Sequence, residues 1–538
     1  MSNFDKRFML AIVFTLSIGL AGCGGSGGGS SDEPSGDPDE TGDMSDEQDD
    51  SGETGTAQLR IVHAVADAPD VNIELDSGNA TEIFEGLGFR ETTALTEVAP
   101  GTFDVTVDAA LPNGSGQEVL TKEVEITEGD ETTLVAAGTV ESRLAGTDPG
   151  LKLVEATPPD EPIAEDCGGA EPPCRSRYTV VHAAADAGPV EITALTPDNP
   201  SISGQPSIEL DFENDNQFPV TVFAGLEQKP RRIRIVRDEN PGQRDDDDDD
   251  VFFDTGAQLP PVPADEDILA IVIDNVGTGE IGRNFENVDN NPIRLLLIYP
   301  DGEGESNVNV FRDKDAQPAI RAAHLSQDAG NVDVLVGGQN VVLNNVPFTT
   351  VSGYLPVSET LRNDDDSLTV QVSESADGPV LGAADLELTN GDFHTGYAVG
   401  LARNTDPGFE LINSNDSIRP VATEAQVRLV HAATQAGAVD VYATAEGGER
   451  QLVASGFDFK DISPYRSLSI DLSSGSTDYT FEVFAAGADP TSAAPVIEAP
   501  ATLTAGSVTT AVARDDDLSV PTFAPQLVND AAAADALN

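Results

Sequence analysis

One motif occurs four times and constrains the fold more than any other feature of the chain. It reads RIVHAVADAPDVNIELD from Arg60, TVVHAAADAGPVEITAL from Thr179, RAAHLSQDAGNVDVLVG from Arg321 and RLVHAATQAGAVDVYAT from Arg428. Two apolar residues precede a His, a turn-forming stretch follows, and Val alternates with polar residues after it. That pattern predicts strand, turn, strand, an opening hairpin with side chains alternating between two faces. The histidines His63, His182, His324 and His431 are 119, 142 and 107 residues apart. Spacing near 100 residues fits a whole β-sandwich per repeat and is too long for a solenoid unit.

The rest of the chain agrees with many short strands. It has 538 residues, 50 Gly, 35 Pro and no Trp. Val, Ile, Thr and Leu come in short runs separated by Gly, Asp, Asn and Pro, which favours sheet over long helix. The length exceeds what one core can serve. Within repeat one, GTFDVTVDAAL alternates cleanly at Phe103, Val105 and Val107. Repeats one and three carry nearly the same late segment, TDPGLKLVE from Thr147 and TDPGFELIN from Thr405.

These features predict an all-β chain of four tandem β-sandwich domains, at 57–158, 176–300, 317–414 and 425–530. Linkers are expected at 159–175, 301–316 and 415–424, and a frayed tail at 531–538. The second repeat is the most divergent. Thr179 replaces the motif Arg, and an insertion carries six consecutive Asp, from Asp245 to Asp250.

The N-terminus reads as an export segment. Lys6 and Arg7 precede the apolar run Phe8–Leu20, which is short for a bilayer span and matches a secretory signal. Residues 24–56 contain no Lys or Arg and few apolar side chains, so they cannot offset their ordering entropy and are expected to form a disordered acidic tether. Leu20-Ala21-Gly22-Cys23 resembles the bacterial lipobox, which implies cleavage before Cys23 and acylation there, giving residues 1–23 the role of a lipoprotein signal. Gly24 after the Cys resembles the pattern of lipoproteins sent to the outer membrane.

The repeat motif, the Gly-Phe segment after it and the "LKLVE"-like closing strand resemble a bacterial family, domain of unknown function 4397. The resemblance implies an immunoglobulin-like fold, tandem copies, and a secreted or lipid-anchored setting. It implies no reaction.

Charge narrows the partners. With 95 acidic and 28 basic residues the formal charge is −67. A chain this acidic repels nucleic-acid phosphates and anionic headgroups. The membrane contact expected is the lipid on Cys23, with an unknown protein or surface ligand as the other partner.

Candidate sites follow from the same residues. The motif residues Arg60, His63, Asp67, His182, Asp186, Arg321, His324, Asp328, Arg428 and His431 are expected to be structural, the imidazole bonding a turn group. A His–Asp proton-transfer or metal site is the alternative. One His per repeat is thin for a metal, no nucleophile recurs beside it, and Gln435 replaces the Asp in repeat four. Cys167 and Cys174 are expected to pair as a disulfide in an oxidising compartment. No cofactor is expected. Calcium remains an option at the acidic turns Asp301–Glu305, Asn363–Asp366 and Asp515–Asp517, with solvated charge as the plainer reading. A carbohydrate platform is disfavoured, because Trp is absent and the Tyr residues do not cluster in sequence. The expected role is a non-catalytic, lipid-anchored envelope module serving as spacer, surface-interaction or adhesion unit. A calcium-dependent or small-ligand binding protein is the alternative, and an enzyme the third reading.

Overall fold

The structure, a computed structural model, describes residues 55–158 except 79 and 148–149. In the second repeat it describes 175–195, 207–212, 220–227, 232–237, 251–256, 259, 267–274 and 293–300. Beyond that it describes 306–535 except 339, 364–366, 376–377, 405 and 520–521. Cys23, the signal segment, the acidic tether, Cys167, Cys174, the six-Asp run, Asp301–Glu305 and Asp364–Asp366 lie outside the described residues, as does the side chain of Asp186.

The chain is all-β, and repeat one shows the plan. Its strands are β1 (Ala57–His63), β2 (Val71–Asp76), β3 (Thr81–Leu87), β4 (Thr96–Val98), β5 (Gly101–Ala110), β6 (Gly116–Ile126), β7 (Glu131–Ala137) and β8 (Lys152–Ala156). They form two four-stranded sheets, ordered β4-β1-β7-β8 and β3-β2-β5-β6. Strands β1 and β7 run parallel, from Gln58 opposite Glu131 to His63 opposite Ala136, while the other pairings are antiparallel. Leu59, Ile61, Val71, Ile73, Leu75, Phe103, Val105, Val107 and Leu134 close the core between the sheets. The alternation read along Phe103, Val105 and Val107 is the inward face of β5, with exposed or half-buried residues between.

The motif itself does not form a hairpin. Its two strands, β1 and β2, belong to opposite sheets, so the intervening turn is an arch that carries the chain across the sandwich. A period of two sets which side chains share a face, but not whether consecutive strands pair.

The same pair of sheets recurs. In repeat three, Ala319–His324 runs parallel to Phe393–Val399, and in repeat four Glu424–Ala432 runs parallel to Val508–Asp517. In repeat two, Arg175–His182 runs parallel to Asp267–Asp274.

Three stretches expected to be linkers or tail are structured. Ser306–Phe311 is a fifth strand on the second repeat, antiparallel to Ile293–Pro300. Just after it, Asp313 accepts from the Asp254 amide at 2.7 Å and Lys314 donates its amide to the Asp254 carbonyl at 2.8 Å, which fastens 306–314 to repeat two. In 415–424, Ile418, Val421 and Thr423 are buried, and Ala422 donates to the Asp67 carbonyl of repeat one at 2.8 Å. The tail starts as a helix, Asp530–Asp535, whose Ala531 and Ala533 pack against Tyr354, Phe393 and Val508. Composition alone could not separate these from loops, because what orders them is a neighbouring repeat.

The repeats pack in pairs through the sheets that contain the motif's first strand. Between repeats one and two the contact is apolar. Val62, Val135 and Val154 on one side meet Val181, Ile271, Ile273, Leu296 and Ile298 on the other. Strand β1 is therefore buried on both faces, Ile61 inside its own sandwich and Val62 between sandwiches.

Candidate functional site

Each motif His lies in its sandwich under the arch and is at most 2% exposed. Nε2 of His63 donates to the Pro69 carbonyl at 3.0 Å, and the equivalents reach Gly188 at 2.8 Å, Gly330 at 2.7 Å and Gly437 at 3.2 Å. A carbonyl cannot donate, so Nε2 holds the proton. Nδ1 then accepts, from the Val65 amide at 3.2 Å in repeat one and from the Ser326 amide at 3.4 Å in repeat three. Burial lowers the pKa of His63 to about 4, and it also lowers those of His182 and His324. The Phe of the following segment meets each ring: Phe89, Phe212 and Phe348 edge-on, with Phe457 and Phe459 both against His431. The residue after that Phe is left-handed in three repeats, at Arg90, Thr349 and Lys460. Each donates its amide to the His carbonyl, and that bond holds the unusual backbone.

The motif Asp ties the arch to the far end of the parallel strand. Asp67 accepts from the Val140 and Glu141 amides, both at 2.8 Å. Asp328 accepts from Ala402 at 2.6 Å and Arg403 at 3.0 Å. In repeat four the carboxylate has changed sides. Asp515 accepts from the Thr434 amide at 2.9 Å and the Gln435 amide at 3.3 Å. By strand register Asp515 occupies the position of Gly138 and Gly400. Those glycines have φ of +100° and +81°, and a Cβ there would lie 2.3 Å and 2.1 Å from the carbonyl oxygens of Gly150 and Gly408. The TDPG segment thus demands Gly in repeats one and three. Repeat four lacks TDPG, continues straight as strand, and is free to place Asp515 where it replaces the lost Asp. Asp515 is buried, not the solvated acidic turn expected.

The motif Arg faces outward from its sandwich, and in repeats three and four it builds a buried cluster between them. Arg428 donates to Asp416 at 2.5 Å, and Arg321 pairs with Asp530. Each Arg donates to the Thr beside it, Thr395 for Arg321 at 2.7 Å and Thr510 for Arg428 at 3.1 Å. Each stacks on a Tyr of its own repeat, Arg321 on Tyr354 and Arg428 on Tyr465, both at 4.6 Å. Each Tyr hydroxyl donates to its own repeat's Asp, Tyr354 to Asp416 at 2.7 Å and Tyr465 to Asp530 at 2.9 Å. The arrangement is a pseudo-two-fold exchange in which each repeat lends its Arg to the other's Asp. One departure breaks it: Arg428 also reaches the Tyr397 hydroxyl at 3.0 Å, while the register partner of Tyr397 in repeat four is Val512. Accordingly Nη1 of Arg321 finds no hydrogen-bond partner among the described residues.

Burial by itself pushes the Asp416 carboxyl up, but the Arg428 and Arg321 guanidiniums outweigh it and hold it below the usual range. Burial, reinforced by the Asp416 charge, pushes the Tyr354 phenol well up. The cluster is therefore ionic at its carboxylate and neutral at its phenols. The Tyr residues expected not to cluster do so here, from positions scattered over 112 residues, Tyr354 to Tyr465.

Among the described residues repeats one and two show no such cluster. Arg60 stands opposite Thr133, but the position of Asp416 is taken by Pro158, and in repeat two by Pro300. Arg60 lies 3.7 Å from Glu131, and its burial lowers its pKa. Repeat two has Thr179 at the motif position, and Arg177 pairs instead with Asp267 at 2.6 Å. Asp416, Asp530, Tyr354, Tyr397 and Tyr465 were not legible as a site, because they lie outside the motif, Tyr397 within the strand Phe393–Val399 and the others on element ends and loops. The one available signal was Asp at the same register position after both closing strands.

Among the described residues no group of three or more His, Cys, Asp or Glu is arranged to hold a metal ion.

Fold and site together define a tandem array of β-sandwich modules joined in pairs. Residues 57–193 and 318–442 match the family model of a domain of unknown function (DUF4397). The first match runs through repeat one into the arch of repeat two, and the second through repeat three into the arch of repeat four, as tandem copies would. No curated protein matches the chain. Among solved structures, the chain is similar to one described as the Bacillus anthracis TIE protein, at 8% identity over 83% of this chain and 68% of that one, with a TM-score of 0.14.

Proposed function

We propose that this is a non-catalytic module of the bacterial envelope, anchored through a lipid on Cys23 and presenting a stiff array of sandwiches for surface interaction or adhesion. The observation that carries the reading is the exchange of Arg321 and Arg428 between repeats three and four. It sets a large polar cluster at a joint between domains, with its charges buried and paired across that joint. Such chemistry resists bending and offers little to a substrate. The buried motif histidines also serve the arch and are shielded from solvent. Residues 24–56 would act as the tether, and the acidic surface keeps the array soluble and away from anionic lipid.

The test is fractionation of cells expressing the full chain and its Cys23→Ser variant. The wild type should stay with membranes through a high-salt wash and the variant should be released. A variant retained on washed membranes would overturn lipid anchoring.

A further inference from the structure

A cleft of about 680 Å³ opens beside the Arg428 cluster, where the segment joining repeats three and four passes repeat one. Its volume is in the range of small-ligand sites, which favour domain junctions. The wall is mixed: Asn413, Ser417, Gln426, Ser463, Tyr465 and Arg419 line it beside the apolar Ile462 and Pro464, and Arg428, which also borders it, is already paired with Asp416. Among the described residues no Asp or Glu lines it. In a chain with 95 acidic residues this is a departure. A cleft of similar size in repeat four, about 640 Å³, carries both Glu446 and Asp478.

Arg419 deepens the contrast. Its Nη1 donates to the Ala66 and Ala68 carbonyls of the repeat-one arch, each at 2.9 Å. Among the described residues no carboxylate forms an ion pair with it, although Glu424, Asp70 and Asp67 act on it from further off. Around it in the cleft stand the amides of Asn413 and Gln426 and the hydroxyls of Ser417 and Ser463, with one N–H of Gln426 donating to Glu424 at 3.1 Å. Amides and hydroxyls donate and accept side by side. That suits an array of ligand hydroxyls, each of which also does both. A divalent cation would need carboxylates that the wall lacks, and an apolar ligand would strand the amides.

We infer that this cleft is a binding site for a neutral saccharide, its hydroxyls held by Asn413, Ser417, Gln426 and Arg419. The Tyr465 ring is covered on one face by Arg428, so recognition is by hydrogen bonds more than by stacking. The site stands apart from the anchoring reading, since it is read on the chain whether or not Cys23 carries lipid.

The experiment applies the full chain, solubilised, to an array of neutral oligosaccharides, followed by calorimetric titration with the best glycan. Saturable binding is expected. Ser417→Asp should weaken it at least tenfold with an unchanged melting temperature, because the Ser417 side chain is exposed. Asn413→Ala should weaken it severalfold. Three results would overturn the assignment: no saturable binding to any neutral glycan, binding indifferent to both substitutions, or preference for glucuronate over glucose in a paired titration.

Discussion

Arg428 of the fourth repeat donates to Asp416 of the third at 2.5 Å, and neither side chain is more than 2% exposed. The two are 12 residues apart in sequence yet belong to different sandwiches. Because Asp530 and Arg321 make the reciprocal bond, the joint is closed twice.

Asp416→Ala should therefore destabilise the third and fourth repeats together, by about 3–5 kcal/mol, the cost of leaving buried charge without its partner. Urea unfolding followed by tyrosine fluorescence measures it. A loss under about 1 kcal/mol, the range of exposed pairs, would show that the cluster adds nothing to the joint.

The histidines predict a pH dependence of definite sign. His63 has its pKa lowered to about 4 by burial, against 6.5 for the free side chain. Between those values the unfolded chain binds the proton and the folded chain does not. Stability is thus full above pH 6.5 and falls as the pH drops toward 4, by about 3 kcal/mol in all. Arg419, which also faces His63, acts in the same direction. Melting curves across this window should show the loss, and His63→Gln, which keeps a donor for Pro69, should remove part of the slope. An unchanged slope would mean that His63 is not buried neutral. Asp416 works at lower pH: its depressed pKa supplies stability that is lost only as the pH falls below the ordinary carboxylate range.

The exchanged carboxylate of repeat four can be moved back. Asp515→Ala leaves the Thr434 and Gln435 amides without an acceptor and should cost about 1–3 kcal/mol. Adding Gln435→Asp restores an acid at the position of Asp67 and Asp328, and is expected to recover part of the loss. A double variant less stable than the single one would show that the two placements are not interchangeable.

Repeat one excised as 57–158 would expose Val62, Val135 and Val154, which repeat two covers. The isolated piece should associate or bind hydrophobic dye, whereas a piece spanning 57–316 should be monomeric and dye-free. Light scattering and dye fluorescence decide this. A clean monomeric 57–158 would mean that the apolar contact is dispensable.

The motif carried its own local physics in plain view. Alternation at Phe103, Val105 and Val107 placed one face inward, and four copies near 100 residues apart implied four sandwiches. The pattern was silent on pairing: His63 and Val71 look like two arms of a hairpin, yet they sit in opposite sheets. Alternation records which side of a strand is buried, and a strand pairs through its backbone, which leaves no mark on that pattern. Arg321 and Arg428 were visible as repeated residues, but their partners were not. Asp416, Asp530 and the tyrosines come from scattered strands and loops whose meeting depends on how one sandwich rests on the next. What the sequence determined by itself was therefore the module, because the period of two and the turn residues act over a few neighbours. What only the tertiary structure decided was the joint. A buried charge is tolerated there solely because another repeat supplies its counter-charge, and that supply is a fact of assembly in space.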